Sequence, residues 1–452
     1  MAGKFEAPRK RRRPYVPVVL LLLAAVLAAV VSRKDREPEI YVTEPENYIT
    51  ETENREEAQM PTVTETEGAP VVTNKAVVAA QGDLLMHATF FQEKYHPHCR
   101  LNDGSYDFSS LFRYMEETVS GADYAVVNLE TTLGGDGFPY QGNPSFNCPD
   151  SILDAVKAAG YDLLLTANNH SYDTLMTGID RTLEQIRLRG LEGLGTRMSE
   201  EESRFLIREI NGIRIGMVSY TYTMTMRSGK PQLNDNSPVE KPEQINYFSY
   251  NDLNGFYSEM QQIIARMREQ GAEATMLFIH WGTEYETVQN TTQEKIAQKM
   301  CDLGFDVIVG GHPHVVQPMT LLQSTEDQNH RTVCIYSLGN AVSNQRRDLM
   351  RLKTGHTEDG VVFTVTFEKY SDGTLRVADT NVLPTWVNLY ETENGRKAYN
   401  ILPLDAARQD VWMQQFGVSD AVFREMKNSW QRTMDILEPG LNQCKAYLDQ
   451  KE

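Results

Sequence analysis

Asp83, Glu130, Asn169, His170, His280, His312 and His314 each fall at or just past the end of a short apolar run. Ligands in α/β sheets collect outside the carboxyl ends of strands, so segments far apart in the chain can converge on one pocket, here expected along one edge of one sheet. Imidazole, amide and carboxylate donors together suit Mn, Fe or Zn, whereas Mg or Ca would want oxygen throughout. Two divalent ions are expected: a carboxylate can bridge them, neutral imidazoles leave their Lewis acidity intact, and an amide oxygen adds a ligand without charge. A pair about 3.5 to 4 Å apart would lower the pKa of a shared water and clamp both oxygens of an in-line displacement at phosphorus.

Gly310-Gly311-His312-Pro313-His314 is the sharpest signal, because two imidazoles around one residue after a glycine turn do little for packing. By contrast, His96, His98, His330 and His356 read as ordinary core or surface histidines. Imidazoles that bind metal need an acceptor for their other N–H, and Asp173, Trp281, Glu284 and Asn340 are the candidates around them. Asp173 reads equally as a cap for the next helix, and Trp281 is expected to line the pocket. The Gly- and Pro-rich stretch from Phe138 to Phe146 reads as a loop over the site or as a plain connector.

The elements that must position these groups alternate between apolar runs and helical periods, which predicts an α/β sandwich. Strands are expected at Ala76 to Gln81, Tyr124 to Asn128, Asp162 to Thr166, Ile213 to Tyr220, Ala274 to Ile279, Asp306 to Val309 and Thr332 to Ser337. An antiparallel strand is expected at Gly360 to Glu368. Helices are expected at Asp150 to Ala159, Gly178 to Arg189, Leu253 to Gln270 and Thr292 to Leu303, the first two stopped by Gly160 and Gly190. An irregular insertion before Leu253 reads as a lid or substrate loop. From residue 391 onward the chain reads as a helical extension, with amphipathic stretches at Ala421 to Ile436 and Cys444 to Gln450.

Residues 1–14 form a basic leader with Lys4 and the run from Arg9 to Arg13, and residues 15–32 an apolar span of about 17 residues, the length of a short membrane helix. No small-residue cleavage site follows, and Arg33, Lys34 and Arg36 stand in its place, which predicts an uncleaved anchor. The basic leader stays cytoplasmic, so the expected location is a single-pass plasma-membrane protein with its globular part outside the cytoplasm. Residues 33–74, rich in Glu, Thr and Pro, read as an extended acidic stalk, and residues 75–390 as the main domain. The net charge of −18 excludes nucleic acid as a partner. The 5 cysteines form no C-x-x-C pair. Most read as small buried hydrophobes, with a bridge between Cys99 and Cys148 left open.

Taken in order, Gly82-Asp83, Asn128-Leu129-Glu130, Ala167-Asn168-Asn169-His170 with Asp173, His280-Trp281-Gly282 with Glu284-Tyr285, Gly311 to His314, and Tyr336 to Asn340 resemble the capsule-synthesis, poly-gamma-glutamate (CapA-type) family. That family is similar to the calcineurin-like metallophosphoesterases, and the resemblance implies a four-layer αββα sandwich. It implies Asp83, Glu130, Asn169, His280, His312 and His314 as metal ligands, Glu130 taking the bridging place, and His170 with Asp173 as catalytic residues. Leu85 stands where the phosphoesterase pattern has a histidine. Either one metal position is a ligand short, or His87 reaches in from the next turn. The implied function is an extracytoplasmic, metal-dependent phosphoesterase-like hydrolase in capsule or poly-gamma-glutamate biogenesis, working with other synthesis subunits on an anionic envelope polymer. The alternatives are a non-catalytic tethered protein that binds or guides that polymer, and a peptide-bond hydrolase.

Overall fold

A computed structural model describes residues 69–451 apart from 235. The expected leader, membrane span and most of the stalk lie outside the described residues, among which no helix is long and apolar enough to cross a membrane.

Two sheets face each other. The first runs, in spatial order, Lys397–Pro403 (β17), Leu375–Glu391 (β16), Asp359–Tyr370 (β15), Val72–Leu84 (β1), Tyr124–Leu129 (β2), Leu163–Leu165 (β3) and Glu192–Leu194 (β4), with Asn340–Val342 (β14) beside β1. β1 to β4 are parallel, and β15 to β17 join antiparallel. The second runs Val316–Gln323 (β12), Arg331–Leu338 (β13), Val307–Gly311 (β11), Ala274–His280 (β10), Ile213–Thr223 (β6) and Phe205–Ile210 (β5), with Tyr247–Ser249 (β9) beside β6. Thr225–Arg227 (β7) and Lys230–Gln232 (β8) make a separate hairpin inside the insertion.

Strand alternation builds the layers. Val78, Ala80, Met217, Met276, Phe278, Ile335 and Phe363 meet in the core between the sheets. From β1 and β2, Ala79 and Val127 turn outward under helices Ser109–Phe112 (α1), Glu116–Val119 (α2) and Ile152–Ala158 (α3). On the far side Leu277, Ile279 and Ile308 pack under Leu253–Glu269 (α5) and Thr291–Asp302 (α6). The helix Leu175–Leu188 (α4) buries Met176, Ile179 and Leu183 against Leu233, Val239 and Ile245 of the insertion. α6 carries a full capping box, the Asn290 side chain accepting from the Gln293 N–H while the Gln293 side chain accepts from Asn290. The fold is an α/β sandwich, as the sequence predicts.

The C-terminal part differs from expectation. Residues 397–403 are strand rather than helix, and they complete the first sheet beyond β16. After Trp412–Phe416 (α7), a single helix, Asp420–Leu448 (α8), runs through Pro439, where the sequence suggests a break. Leu437, Leu441 and Cys444 hold it by entering the inter-sheet core, and Arg432 pairs with buried Asp359 at 2.7 Å. Gly440 is required there, because a Cβ would collide with the Met319 carbonyl of β12. All 5 cysteines are buried and free, so Cys99 and Cys148 form no bridge.

Candidate metal centre

The first sheet supplies Asp83 at the end of β1, Glu130 just past β2, and Asn169 and His170 past β3; the second supplies His280 at the end of β10 and His312 and His314 past β11. The site therefore spans the facing edges of two sheets, not one edge of one sheet. A strand-end motif marks an edge without saying which sheet the strand joins. Glycines permit close backbone approach at these strand ends: a Cβ on Gly82 would strike the Gly339 carbonyl, and one on Gly310 the Tyr336 carbonyl of neighbouring β13. His312 (φ 96) and His314 (φ 57) both hold left-handed backbone, costly for non-glycine residues and typical of side chains held for a task.

Asp83 is fully buried, with Oδ1 accepting from Asn128 Nδ2 at 2.8 Å and Oδ2 accepting the His312 N–H at 3.2 Å. His314 Nδ1 lies 3.2 Å from Asp83 Oδ2. Glu130 Oε1 sits between two imidazoles, 3.5 Å from His280 Nε2 and 3.8 Å from His314 Nε2, yet neither Glu130 oxygen has a hydrogen-bond partner among the described residues. Asn169 Oδ1 is 2.7 Å from His280 Nε2. The buried donors fall into two groups that share Glu130: Glu130, His280 and His312, and Asp83, Glu130 and His314.

Charge follows the geometry. Burial, with the other imidazoles, pushes His312 far below the usual histidine range and keeps it neutral. Burial acts the same way on His314, but the Glu130 and Asp83 carboxylates outweigh it and raise that ring to about 9. Burial would raise Asp83, and its hydrogen bond and charge contact with His314 bring it below the ordinary carboxylate value instead. A buried carboxylate with no donor is costly to keep. Divalent cations fit this set: Glu130 oxygens and a His312 Nδ1 without partners among the described residues, and a mixed N/O donor chemistry.

Of the other expected residues, His170 Nδ1 lies 2.6 Å from Asp173 Oδ2. Asp173 is thus the partner of His170 and not a cap; the cap position of α4 is Thr174, with no capping hydrogen bond. Burial would lower His170, and Asp173 and Glu130 together raise it. The Asp173 carboxylate also accepts the Phe146 N–H at 2.6 Å and Asn236 Nδ2 at 2.8 Å. Phe146 packs edge-on to both His87 and His170, so the stretch from Phe138 to Phe146 lies against the site. Asn234 Nδ2, 3.4 Å from His170 Nδ1, brings the insertion there too.

His87 does not complete the donor groups. Its Nδ1 is 3.1 Å from the Leu85 carbonyl and accepts the Asn344 N–H at 3.2 Å, while burial lowers its pKa to about 4. Trp281 does not line the pocket either: it follows His280 on a strand, so it points to the opposite face, where Nε1 donates to the Tyr336 carbonyl at 2.9 Å. Glu284 is exposed. Asn340 holds the His314 backbone rather than a ring, donating to its carbonyl at 3.1 Å. Sequence reasoning did not single out Tyr222, whose hydroxyl lies 3.0 Å from His312 Nε2, or the Asn128 side chain that supports Asp83.

An α/β sandwich whose facing sheet edges bury two carboxylates among three imidazoles has a site that could hold a metal ion. The comparisons with known proteins narrow the class. The model of the family "Bacterial capsule synthesis protein PGA_cap" matches residues 77–345, and the chain belongs to that family. It is 27% identical over 241 residues to the PGA biosynthesis protein CapA of Bacillus subtilis (strain 168), covering 52% of this chain and 57% of that protein. It is 25% identical over 349 residues to the capsule biosynthesis protein CapA of Bacillus anthracis, covering 75% and 71% respectively. The chain thus spans less than two thirds of the first relative's length.

Proposed function

We propose that this chain is a metal-dependent phosphoesterase-like hydrolase with the four-layer αββα architecture of metallophosphoesterases, acting in capsule or poly-gamma-glutamate biogenesis. The observation that carries this reading is Glu130, a buried carboxylate without a hydrogen-bond donor, common to both donor groups. Asp83, Glu130 and His314 would hold one cation, and Glu130, Asn169, His280 and His312 another. A pair of divalent cations there would activate a water and offset charge at a phosphoryl group. Asp173 fixes His170 through Nδ1 and leaves Nε2 as the atom able to give a proton to a leaving oxygen. The loop that ends at Phe146 and the insertion at Asn234 and Asn236 would shield that step from bulk water.

The basic leader and the apolar span support, as part of the same proposal, a membrane anchor with this activity outside the cytoplasm, beside other polymer-synthesis subunits and the anionic polymer. A second reading, a tethered non-catalytic protein that guides the polymer, is favoured by Leu85, which leaves one donor group with three residues. Hydrolysis of aryl phosphate mono- and diesters by the full chain with Mn(II), Fe(II) or Zn(II) separates the two. Turnover that is lost in Glu130→Ala supports the hydrolase. A wild-type chain that carries its metal and turns over none of these esters favours the guide.

A further inference from the structure

We propose that Tyr222 is a positioning residue that fixes His312 with Nε2 protonated and Nδ1 as its cation-binding atom. The inference rests on the metal-centre reading above and goes beyond it by assigning the binding atom and the group that selects it. β6 ends at Thr223, and its last residues carry the half-buried Tyr222 ring to the site, 4.8 Å from the His312 ring centroid and parallel to His280 at 6.5 Å. The phenol oxygen is 3.0 Å from His312 Nε2. His312 Nδ1, on the other side of the ring, is buried with no partner among the described residues, and His312 shares its donor group with Glu130 and His280.

Two tautomers of neutral His312 are open. If Tyr222 donates to Nε2, the ring proton sits on Nδ1, buried and without an acceptor, which leaves a desolvated donor unsatisfied. If Nε2–H donates to the phenol oxygen, the Nδ1 lone pair faces the donor group and a cation satisfies it. An imidazole that ligates through one nitrogen is held by the hydrogen bond of the other, and loss of such a partner lowers metal affinity by about 10- to 100-fold. Tyr222 is itself braced: its ring packs 5.6 Å from Tyr250, whose hydroxyl accepts the Gly282 N–H at 2.9 Å, just past His280.

The test is Co(II) titration of the full chain, followed by its visible absorption, for wild type, Tyr222→Phe, His312→Ala and the double variant. Tyr222→Phe keeps the ring and removes only the hydroxyl. The expected result is an affinity about 10- to 100-fold lower for one Co(II) equivalent and a shifted absorption band, with unfolding of the metal-free variant unchanged. The double variant should bind no more weakly than His312→Ala. Wild-type affinity and spectrum in Tyr222→Phe, or an additive loss in the double variant, would overturn the Tyr222 assignment alone. A wild-type chain that takes up no Co(II) would overturn the metal-centre reading and this assignment together.

Discussion

Glu130 and His280 belong to different sheets, yet Glu130 Oε1 lies 3.5 Å from His280 Nε2. The centre therefore exists only when the two sheets are docked, and the packing between them is part of the site. Leu437 on α8 is fully buried in that packing. Leu437→Ala should lower stability by about 2 to 5 kcal/mol, as core truncations do. Urea unfolding checks this; a loss below about 1 kcal/mol would mean that α8 is dispensable to the core.

The donor groups differ in number. Asn169 Oδ1, beside His280 Nε2, adds a fourth donor to the Glu130, His280 and His312 group, while the Asp83, Glu130 and His314 group has three. Stepwise chelation should strip one equivalent first, and His314→Ala should remove that labile equivalent while His312→Ala removes the tighter one. Simultaneous release of both metals, or loss of the same equivalent in both variants, would contradict this assignment.

Asp173 lies in neither candidate donor group and holds His170 Nδ1 at 2.6 Å. Asp173→Asn should lower kcat for phosphoester hydrolysis by about 10²- to 10⁴-fold. Metal content, measured on the same preparation, should stay at the wild-type level. A parallel fall in metal and activity would instead assign the pair a role in building the centre.

Two buried imidazoles give the metal-free protein opposite pH limbs. His314, raised to about 9 by Glu130 and Asp83 against the effect of burial, stabilises the fold fully below its unfolded value near 6.5, and that stability is lost as pH rises from 6.5 through 9. His87, lowered by burial to about 4, stabilises the fold above 6.5 and loses that contribution as pH falls from 6.5 through 4. In excess chelator the Tm should peak between these limbs. His314→Gln should flatten the alkaline limb and His87→Gln the acid limb; limbs unchanged by these variants would assign the pH dependence to other groups.

Much of the candidate centre is legible because side chains of metal-ligand type stand where apolar runs stop, and the structure brings Asp83, Glu130, Asn169, His280, His312 and His314 together. The partition between two sheets is not, since a parallel strand's sequence does not name its neighbour. Adjacency to His280 does not put Trp281 in the pocket, because one residue past the end of β10 it lies on the face of Leu277 and Ile279. β12 and β16 carry Pro318 and Pro384, which weaken a strand signal, and β17 is buried from Ala398 to Pro403, so it shows no alternation. Tyr222 gave no signal, being one of 21 tyrosines and set in the ordinary strand run Ser219 to Thr223.

Metal analysis of the full chain purified without chelator, beside Glu130→Ala, bears on all of this at once. Wild type should carry about two equivalents of Mn, Fe or Zn, and Glu130→Ala, which loses the carboxylate common to both groups, should retain almost none. A wild-type chain that holds no metal and takes none up on addition, or a Glu130→Ala variant that keeps both equivalents, would contradict the metal centre.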